Sequence, residues 1–414
     1  MSERFATGDL VAASCRGHPV EGTYITNRDG MAVLKMKSGY NIGVDPATCN
    51  RVRAAGAPAV RAAAPAVVQD ETLPELAIIS TGGTIASKID YRTGAVTSQF
   101  TADDILRAIP GLSSLARYRS EVLATILSEN MTPRIWQDLA RAIYAAIKDG
   151  AEGVIVTHGT DTMAYSASAV SYMLDTPVPV VFVGSQRSAD RPSSDNIMNG
   201  LCAAAAARSD LGEVAVVMHA TTNDDACAVH RATRVRKMHT SRRDAFQSHD
   251  MAPIGSVEYP SLAVTLSDEA VRRRKTEPVL KDHLEEHCGL LYFYPGMAPE
   301  MVRAYEGYKG LVIAGTGLGH VSTLCIGALK DLVDAGTTVV MTSQCLNGRV
   351  CDRVYDTGRD LIAAGVIEGE DMLPEAALTK MMWVLGNETD PEKVRTMMTT
   401  DLKGEIRRRS DYGF

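Results

Sequence analysis

After residue 75 the sequence repeatedly presents short, continuous apolar runs that are followed by, or end in, small or polar residues. The runs are LAII, VLATIL, GVIVTH, VPVVFVG, EVAVVMH, GLVIAG and TTVVMT. A strand that is apolar on both sides must be covered on both faces, which is typical of parallel sheets in α/β proteins. Helical segments lie between several runs, and one begins at Thr132-Pro133, a favourable N-cap followed by proline in the first turn. The pattern predicts an α/β body with an open, doubly wound parallel sheet.

The first 50 residues have a different pattern. Short stretches of strand composition are separated by turn signals such as Arg28-Asp29-Gly30, without a helical segment between them. This favours a small N-terminal β-barrel domain over residues 1–50. Residues 51–74 are rich in alanine and proline and lack periodicity, which predicts a semi-extended linker.

The body is expected to contain two domains. An irregular stretch from about residue 221 to 288 interrupts the alternation of strands and helices. We therefore predict a larger α/β domain over residues 75–270 and a smaller α/β domain with C-terminal helices over residues 271–414.

Composition limits the classes of protein that this chain can represent. Apolar residues make up 45% and charged residues 22% of the sequence, as in globular proteins, and no apolar run approaches the ~20 residues of a membrane span. The start lacks the layout of a secretory signal, and eight cysteines without a CxxC pair favour reduced thiols in the cytoplasm. The net charge of −7 does not favour nucleic acid in general. Residues 1–68 carry eight basic against five acidic residues, too small a surplus to predict RNA contact.

Two of the predicted strands end in turns that combine threonine with glycine. Thr81-Gly82-Gly83-Thr84 follows one strand, and His158-Gly159-Thr160-Asp161-Thr162 follows another. Ligands of open α/β sheets bind beyond the carboxyl ends of the strands, and glycine lets a ligand approach the backbone N–H groups. The first turn has neither the P-loop nor the dinucleotide pattern. We therefore expect threonine chemistry rather than phosphate binding at these turns.

A threonine hydroxyl hardly ionises at neutral pH, so a base that takes its proton typically contributes about 10²–10⁴-fold to the rate. A neutral lysine amine can serve as this base, and neighbouring positive charge favours the neutral form. The candidate is Lys237 in VRKMHTSRRDAF, which has four arginines nearby: Arg234, Arg236, Arg242 and Arg243. Sequence spacing alone does not place Lys237 at the two turns.

TGGTIA, followed about 75 residues later by HGTDTM, resembles the paired signature of the asparaginase/glutaminase family of bacterial type. The resemblance extends over roughly residues 76–385 and implies a two-domain asparaginase-like body. It implies that Thr84 is the attacking nucleophile and that Thr160, Asp161 and Lys237 form a second reactive group.

The same resemblance implies residues that bind the substrate. The segment LSENM resembles the family's substrate-binding loop, so that Ser128 and Glu129 would hold the α-carboxylate and the α-amine of an amino acid. Tyr91, in KIDYRTG, resembles the tyrosine of the family's mobile lid. His158 has the appearance of a triad base, but a structural role within its turn is favoured.

The segment in front of the body carries a further resemblance. Free-standing asparaginases begin almost directly with the first strand, whereas this chain has about 75 residues before it. That front, together with LSENM and VRKMHTSRRDAF, resembles the D subunits of archaeal glutamyl-tRNA(Gln) amidotransferases. The resemblance implies a cytoplasmic heteromer with an E subunit, as a heterodimer or a dimer of heterodimers. The D subunit would release ammonia from glutamine or asparagine without a bound cofactor or metal, and the E subunit would use ATP and Mg to convert Glu-tRNA(Gln) to Gln-tRNA(Gln).

Two alternatives remain open at this point. One is a free-standing cytosolic L-asparaginase/glutaminase with an accessory N-terminal domain, which would turn over without tRNA or a partner. The other is a binding module that has lost activity. Neither the preferred amide donor, nor the role of the N-terminal barrel, nor a residue contributed by another subunit follows from the sequence.

Two weaker patterns favour structural roles. His283-Leu-Glu-Glu-His287 fits the HxxEH zinc pattern without an identifiable further ligand, so no zinc site is predicted. The basic run RRRK at 272–275 is expected to be a solvated surface that could meet phosphate.

Overall fold

The computed structural model describes most of the chain. The described residues are 4–38, 40–54, 69–82, 88–89, 96–97, 102–187 and 193–409. Within them, none of the helices combines the length and apolar composition that crossing a membrane requires.

The front of the chain folds into one antiparallel sheet of five strands, in the order β4-β3-β2-β1-β5. The strands are β1 (Leu10–Cys15), β2 (His18–Arg28), β3 (Met31–Met36), β4 (Asn41–Val44) and β5 (Asn50–Arg53). Val11, Tyr24 and Leu34 lie in its small buried core. The predicted all-β front is confirmed, but residues 51–53 of the predicted linker belong to β5, which pairs with β1.

The larger domain contains an eight-stranded sheet in the order β18-β17-β14-β13-β12-β10-β6-β9. Its strands and those of the short accessory ladders are β6 (Glu75–Gly82), β7 (Lys88–Ile89), β8 (Val96–Thr97), β9 (Arg117–Ile126), β10 (Gly153–Thr157), β11 (Leu174–Asp175), β12 (Val180–Val183), β13 (Val214–His219), β14 (Ala226–Arg231), β15 (Val235–Lys237), β16 (Phe246–Ser248), β17 (Gly255–Glu258), β18 (Val264–Leu266) and β19 (Val279–Leu280). Its helices are α1 (Ala102–Ala108), α2 (Pro133–Lys148), α3 (Met163–Met173) and α4 (Asn196–Ala207).

The five strands β9, β6, β10, β12 and β13 are parallel, as the continuous apolar runs predict. Alternate residues face two different cores, because successive side chains of a strand point to opposite faces. Ile78 packs in the core that includes α1 and α4, whereas Ile79 packs in the core that includes α2 and α3. Helices therefore cover both faces, and the predicted doubly wound arrangement is confirmed.

Helix α2 begins where its sequence predicts. The hydroxyl of Thr132 accepts a hydrogen bond from the N–H of Ile135, and Pro133 occupies the first turn. Leu139, Ile143 and Ile147 are buried on one face of the helix. The cap and the apolar face fix this helix against β6, β9 and β10, and so help to hold the strands from which the candidate site emerges.

The smaller domain has a parallel four-stranded sheet in the order β20-β21-β22-β23. Its elements are β20 (Cys288–Tyr292), α5 (Pro299–Arg303), β21 (Gly310–Gly315), α6 (Thr323–Asp334), β22 (Thr338–Ser343), α7 (Asp356–Ala363), β23 (Ile367–Glu368), α8 (Pro374–Asn387) and α9 (Pro391–Thr399). The segment that sequence patterning marks as irregular, 221–288, contains β14, β17 and β18, which extend the larger sheet by antiparallel pairing. Short strands of this kind lack the long apolar runs that identify the parallel strands.

Candidate active site

The two strands that lead into the threonine-rich turns end side by side at one edge of the larger sheet. Strand β6 lies between β9 and β10, and Ser80 of β6 is in register with Thr157 of β10. On its other side, Gly82 of β6 is in register with Ile126 of β9. All three strands are parallel, so the chain leaves them at the same edge of the sheet. This edge is where the sequence predicts the site.

Gly82 lets the end of β6 pass close to β9. Its φ angle is +111°, and a methyl group built on its Cα would lie 2.5 Å from the carbonyl oxygen of Ile126. A side chain at this position would therefore combine an unfavourable backbone conformation with a steric clash. The first glycine of the TGG motif is explained by the packing of β6 against β9.

Thr81 has a structural role. Its hydroxyl donates a hydrogen bond to the backbone carbonyl oxygen of Thr157, at 3.2 Å, and its side chain is buried. The bond joins the end of β6 to the end of β10. Thr84 and Tyr91, the predicted nucleophile and lid residue, lie outside the described residues, so their assigned roles stay predictions.

Lys237, Thr160 and Asp161 come together at the carboxyl end of β10. The Nζ atom of Lys237 lies 2.9 Å from Oγ1 of Thr160 and 2.6 Å from Oδ1 of Asp161. The lysine side chain is 12% exposed, whereas that of Asp161 is 69% exposed. The amine thus has one contact with a hydroxyl inside the site and one with a carboxylate facing solvent. The carboxylate of Asp161 thus forms an ion pair with Lys237. Helix α3 begins after the N-cap residue Thr162, whose side chain makes no capping hydrogen bond.

The arginines near Lys237 in sequence are all paired with carboxylates. Arg234 pairs with Asp371, Arg236 with Glu375, Arg242 with Asp244 and Arg243 with Asp224. The sequence suggests that this cluster surrounds the lysine with free positive charge. The carboxylates instead compensate each arginine locally, and the charged group in direct contact with the lysine is Asp161. The sequence-based argument that positive charge on the four arginines favours a neutral Lys237 amine is therefore not supported.

His158 is fully buried behind the turn. Its Nδ1 lies 2.7 Å from the carbonyl oxygen of Gly159, and its ring lies beside that of Phe182. Burial lowers the pKa of His158 to about 4, so the ring is neutral at physiological pH. These contacts support a structural role within the turn.

Ser128 and Glu129 lie in a short 3₁₀ turn directly after β9, next to the second threonine turn. The backbone carbonyl of Ser128 accepts a hydrogen bond from the hydroxyl of Thr162, at 2.7 Å, and a methyl group on Gly159 would lie 2.7 Å from Cβ of Ser128. Ser128 is buried, whereas Glu129 is exposed. The serine is thus fixed beside the second threonine turn, and Glu129 follows it on the surface.

Asp195 is a residue of this region that the sequence did not reveal. Its buried carboxylate accepts hydrogen bonds from the hydroxyl of Ser185 and from the backbone N–H groups of Gln186 and Arg187. It thereby fixes residues 185–187, which directly follow β12 and Gly184. A methyl group on Gly184, which precedes these residues, would lie 2.8 Å from Cγ2 of Thr160. Asp195 supports the site through backbone contacts that no sequence periodicity signals.

The HxxEH pattern at 283–287 and the basic run at 272–275 both lie within the described residues. His283 and His287 lie in a segment without regular secondary structure rather than on a helix, and among the described residues no cluster of three or more His, Cys, Asp or Glu side chains is arranged to hold a metal ion. The arginines of the basic run donate to the protein's own acceptors. Arg272 bonds to the carbonyls of Leu266 and Ser267, Arg273 to that of Ser209, and Arg274 to Asp175 and Thr176. They fasten this segment to the larger domain.

Comparison with known proteins agrees with this geometry. The family described as "Asparaginase, N-terminal" matches residues 75–270, and the family described as "Glutaminase/Asparaginase C-terminal domain" matches residues 287–398. The thermostable L-asparaginase from Thermococcus kodakarensis superposes with a TM-score of 0.72 at 32% identity, covering 81% of this chain and 100% of that chain. The body therefore has the asparaginase fold.

Full-length relatives extend the likeness to the front of the chain. The glutamyl-tRNA(Gln) amidotransferase D subunit of Methanosarcina acetivorans is 53% identical over 416 residues, covering 97% of this chain and 98% of the relative. The corresponding protein of Archaeoglobus fulgidus is 53% identical over 414 residues, covering 100% of this chain and 98% of the relative. The chain belongs to the family of glutamyl-tRNA(Gln) amidotransferase D subunits, with a body of the asparaginase family.

Proposed function

We propose that this chain is the ammonia-releasing subunit of a heteromeric, tRNA-dependent amidotransferase. It frees ammonia from the side-chain amide of glutamine or asparagine. A partner E subunit uses this ammonia and ATP to convert Glu-tRNA(Gln) to Gln-tRNA(Gln) in the cytoplasm. The contact of Lys237 Nζ with Thr160 Oγ1 and Asp161 Oδ1, in a chain of the D-subunit family, carries the proposal.

The chemistry proceeds in two steps. The hydroxyl oxygen of Thr84 attacks the amide carbon of the substrate while its proton passes to the group formed by Thr160, Asp161 and Lys237. The C–N bond then breaks as the nitrogen takes up a proton, and ammonia leaves. Water attacks the resulting threonine ester, releasing glutamate or aspartate and restoring the Thr84 hydroxyl. Backbone N–H groups near the glycine turns stabilise the oxyanion in both steps.

Thr160, Asp161 and Lys237 form the group that moves the proton. The Lys237 amine lies 2.9 Å from Thr160 Oγ1, close enough for a proton to pass between the two groups. Asp161 then stabilises the ammonium group that forms, at 2.6 Å. Ser128 and Glu129 hold the α-carboxylate and α-amine of the substrate, and Tyr91 has the role of the family's lid tyrosine. ATP and Mg belong to the partner protein.

The experiment combines the chain with its E subunit, as a heterodimer or a dimer of heterodimers. Ammonia release from glutamine and from asparagine is measured with the chain alone, with the E subunit, and with the E subunit and Glu-tRNA(Gln). The proposed function predicts stimulation by the partner and the tRNA, and formation of Gln-tRNA(Gln). Thr84→Ala should abolish ammonia release, whereas Thr399→Ala, on the exposed side of α9, should leave it unchanged.

A free-standing L-asparaginase/glutaminase is the second candidate, favoured by the likeness of the body to the Thermococcus kodakarensis enzyme. Full turnover by the isolated chain, with no effect of partner or tRNA, would establish that alternative and refute the first. Ammonia release that is absent from the complete complex would refute both and leave a binding module.

A further inference from the structure

Lys237 lies on a short strand that is not part of the eight-stranded sheet. It is the last residue of β15, a three-residue strand whose partner in its two-stranded ladder is β16. Val235 anchors the strand on one side by packing into a core of the larger domain. A ladder of this length fixes position weakly, because each strand contributes few hydrogen bonds. The reach of the Lys237 amine toward Thr160 therefore depends on further contacts.

Arg234, which directly precedes β15, provides one such contact. Its guanidinium group donates to the carboxylate and to the backbone carbonyl of Asp371, each at 2.9 Å, and to the carbonyl of Gly404 at 3.0 Å. The side chains of Arg234 and Asp371 are both 0% exposed. Asp371 lies in the smaller domain, between β23 and α8. Charge-assisted bonds from a planar guanidinium group restrict orientation as well as position.

Arg236, inside β15, provides a second contact with the same domain. Its Nε lies 3.2 Å from Oε1 of Glu375, in the first turn of α8. Successive side chains of a strand point in opposite directions. Arg236 therefore points to the smaller domain, while Lys237 points to the turn that contains Thr160 and Asp161. The strand is thus held between the two domains.

We propose that Asp371 and Glu375 are positioning residues, which fix the strand of the reactive lysine through Arg234 and Arg236. This inference rests on the proposed function. Among the contacts of Lys237 described above, none involves Asp371 or Glu375, so their effect passes through the backbone of residues 234–237. The smaller domain thereby sets the distance between Lys237 Nζ and Thr160 Oγ1. A shift of about 1 Å in a reacting group can lower a rate by about 100-fold.

The test uses the Arg236–Glu375 pair, since its side chains are 32% and 11% exposed and its loss disturbs folding less than loss of a fully buried pair. In the complete complex, Glu375→Gln and Arg236→Gln should each lower kcat for ammonia release by about 10-fold or more, with KM within about twofold. The double variant should be no slower than the slower single variant, because both substitutions remove one interaction. In a Lys237→Ala background, Glu375→Gln should cause no further loss.

Asp282→Asn is the matched control. Asp282 pairs with Arg141 of α2, and the two side chains are 18% and 44% exposed. The pair resembles Arg236–Glu375 in burial but does not include the strand of Lys237. Its loss should leave kcat within about twofold of the wild type. Thermal midpoints of all variants show whether they are folded to the same extent.

The outcomes separate the two proposals. A wild-type complex that releases no ammonia refutes the proposed function itself. If the wild type is active, the positioning role is refuted by any of three results. These are an unchanged kcat in both single variants, a rise in KM without a change in kcat, or additive losses in the double variant. Should Glu375→Gln fail to fold, Arg236→Gln and its effect in the Lys237→Ala background still decide the question.

Discussion

The Nζ atom of Lys237 lies 2.6 Å from Oδ1 of Asp161, although the two residues are 76 positions apart in the chain. The lysine comes from a short strand between the domains, and the aspartate from a turn at the end of a central parallel strand. The fold thus brings an amine and a carboxylate to the same edge of the sheet. At that edge the turn after β9, which contains Ser128, packs against the turn after β10.

Removing the lysine amine should abolish most of the ammonia release. Lys237→Met keeps the length of the side chain but removes the amine, and Thr160→Val removes its hydroxyl partner while keeping the shape. Each should lower kcat by about 10²–10⁴-fold, the usual contribution of a positioned base. The control is Lys148→Met, which removes an exposed lysine that also forms a 2.6 Å ion pair, with Glu277. An equal fall in kcat in Lys148→Met and Lys237→Met would contradict the assignment of Lys237 to the group that moves the proton.

Gly159→Ala should weaken substrate binding. The added methyl group would lie 2.7 Å from Cβ and 3.0 Å from Oγ of Ser128, so the serine must move. If Ser128 binds the α-carboxylate, the loss of one charge-assisted hydrogen bond raises KM by about 10–100-fold. Steady-state kinetics with glutamine and asparagine measure this change. Gly327→Ala, in α6, meets no atom within 4 Å and should leave KM unchanged.

The stability of the chain should fall as the pH decreases below about 6.5, the pKa of histidine in an unfolded chain. Burial lowers the pKa of His158 to about 4 and that of His230 to about 3. The unfolded state therefore binds protons that the native state does not bind until much lower pH. The contribution of these two histidines to stability is greatest above about pH 6.5, and below it each removes about 1.4 kcal/mol per pH unit until its native pKa is reached.

His230→Gln tests this dependence. The glutamine can still bond to the hydroxyl of Ser248, which lies 2.8 Å from Nδ1 of His230, but it does not titrate. Between about pH 7.5 and about pH 5, the variant should lose about 2 kcal/mol less stability than the wild type. Thermal midpoints at the two pH values measure the difference. Identical losses in both proteins would show that His230 does not contribute.

Much of the fold could be predicted because parallel strands buried on both faces have a distinct sequence pattern. The runs around Ile79 and Val156 had to be strands, and the glycine-threonine turns that follow them had to meet at one edge. The N-cap at Thr132 is a local signal, so the start of α2 could also be predicted from the sequence. Strand β5 falls largely within the predicted linker because Asn50–Arg53 is exposed along its length and has no apolar alternation.

The parts that could not be predicted depend on contacts between distant segments. Arg234 and Asp371 are 137 positions apart, and neither residue lies in a motif or a periodic pattern. The sequence therefore suggests free positive charge around Lys237, whereas folding brings a carboxylate to each arginine. Lys237 itself could be assigned through family resemblance, since its spacing from Thr160 has no local meaning.

The C-terminal segment should depend on the buried ion pair of Lys380 with Glu405. Both side chains are 0% exposed, their charged atoms lie 2.6 Å apart, and the amine also bonds to the carbonyls of Met398 and Thr400. Lys380→Met leaves a buried carboxylate without its partner, which costs about 3–5 kcal/mol and should lower the thermal midpoint by about 10 °C. Lys330→Met, which breaks an exposed pair with Asp334, should change the thermal midpoint by about 2 °C or less.

The double variant Lys380→Met/Glu405→Leu should recover most of the loss, because an apolar pair of similar volume needs no desolvation of charge. A double variant as unstable as Lys380→Met would show instead that the C-terminal segment depends on the hydrogen bonds that the Glu405 carboxylate accepts from the N–H groups of Leu402 and Lys403.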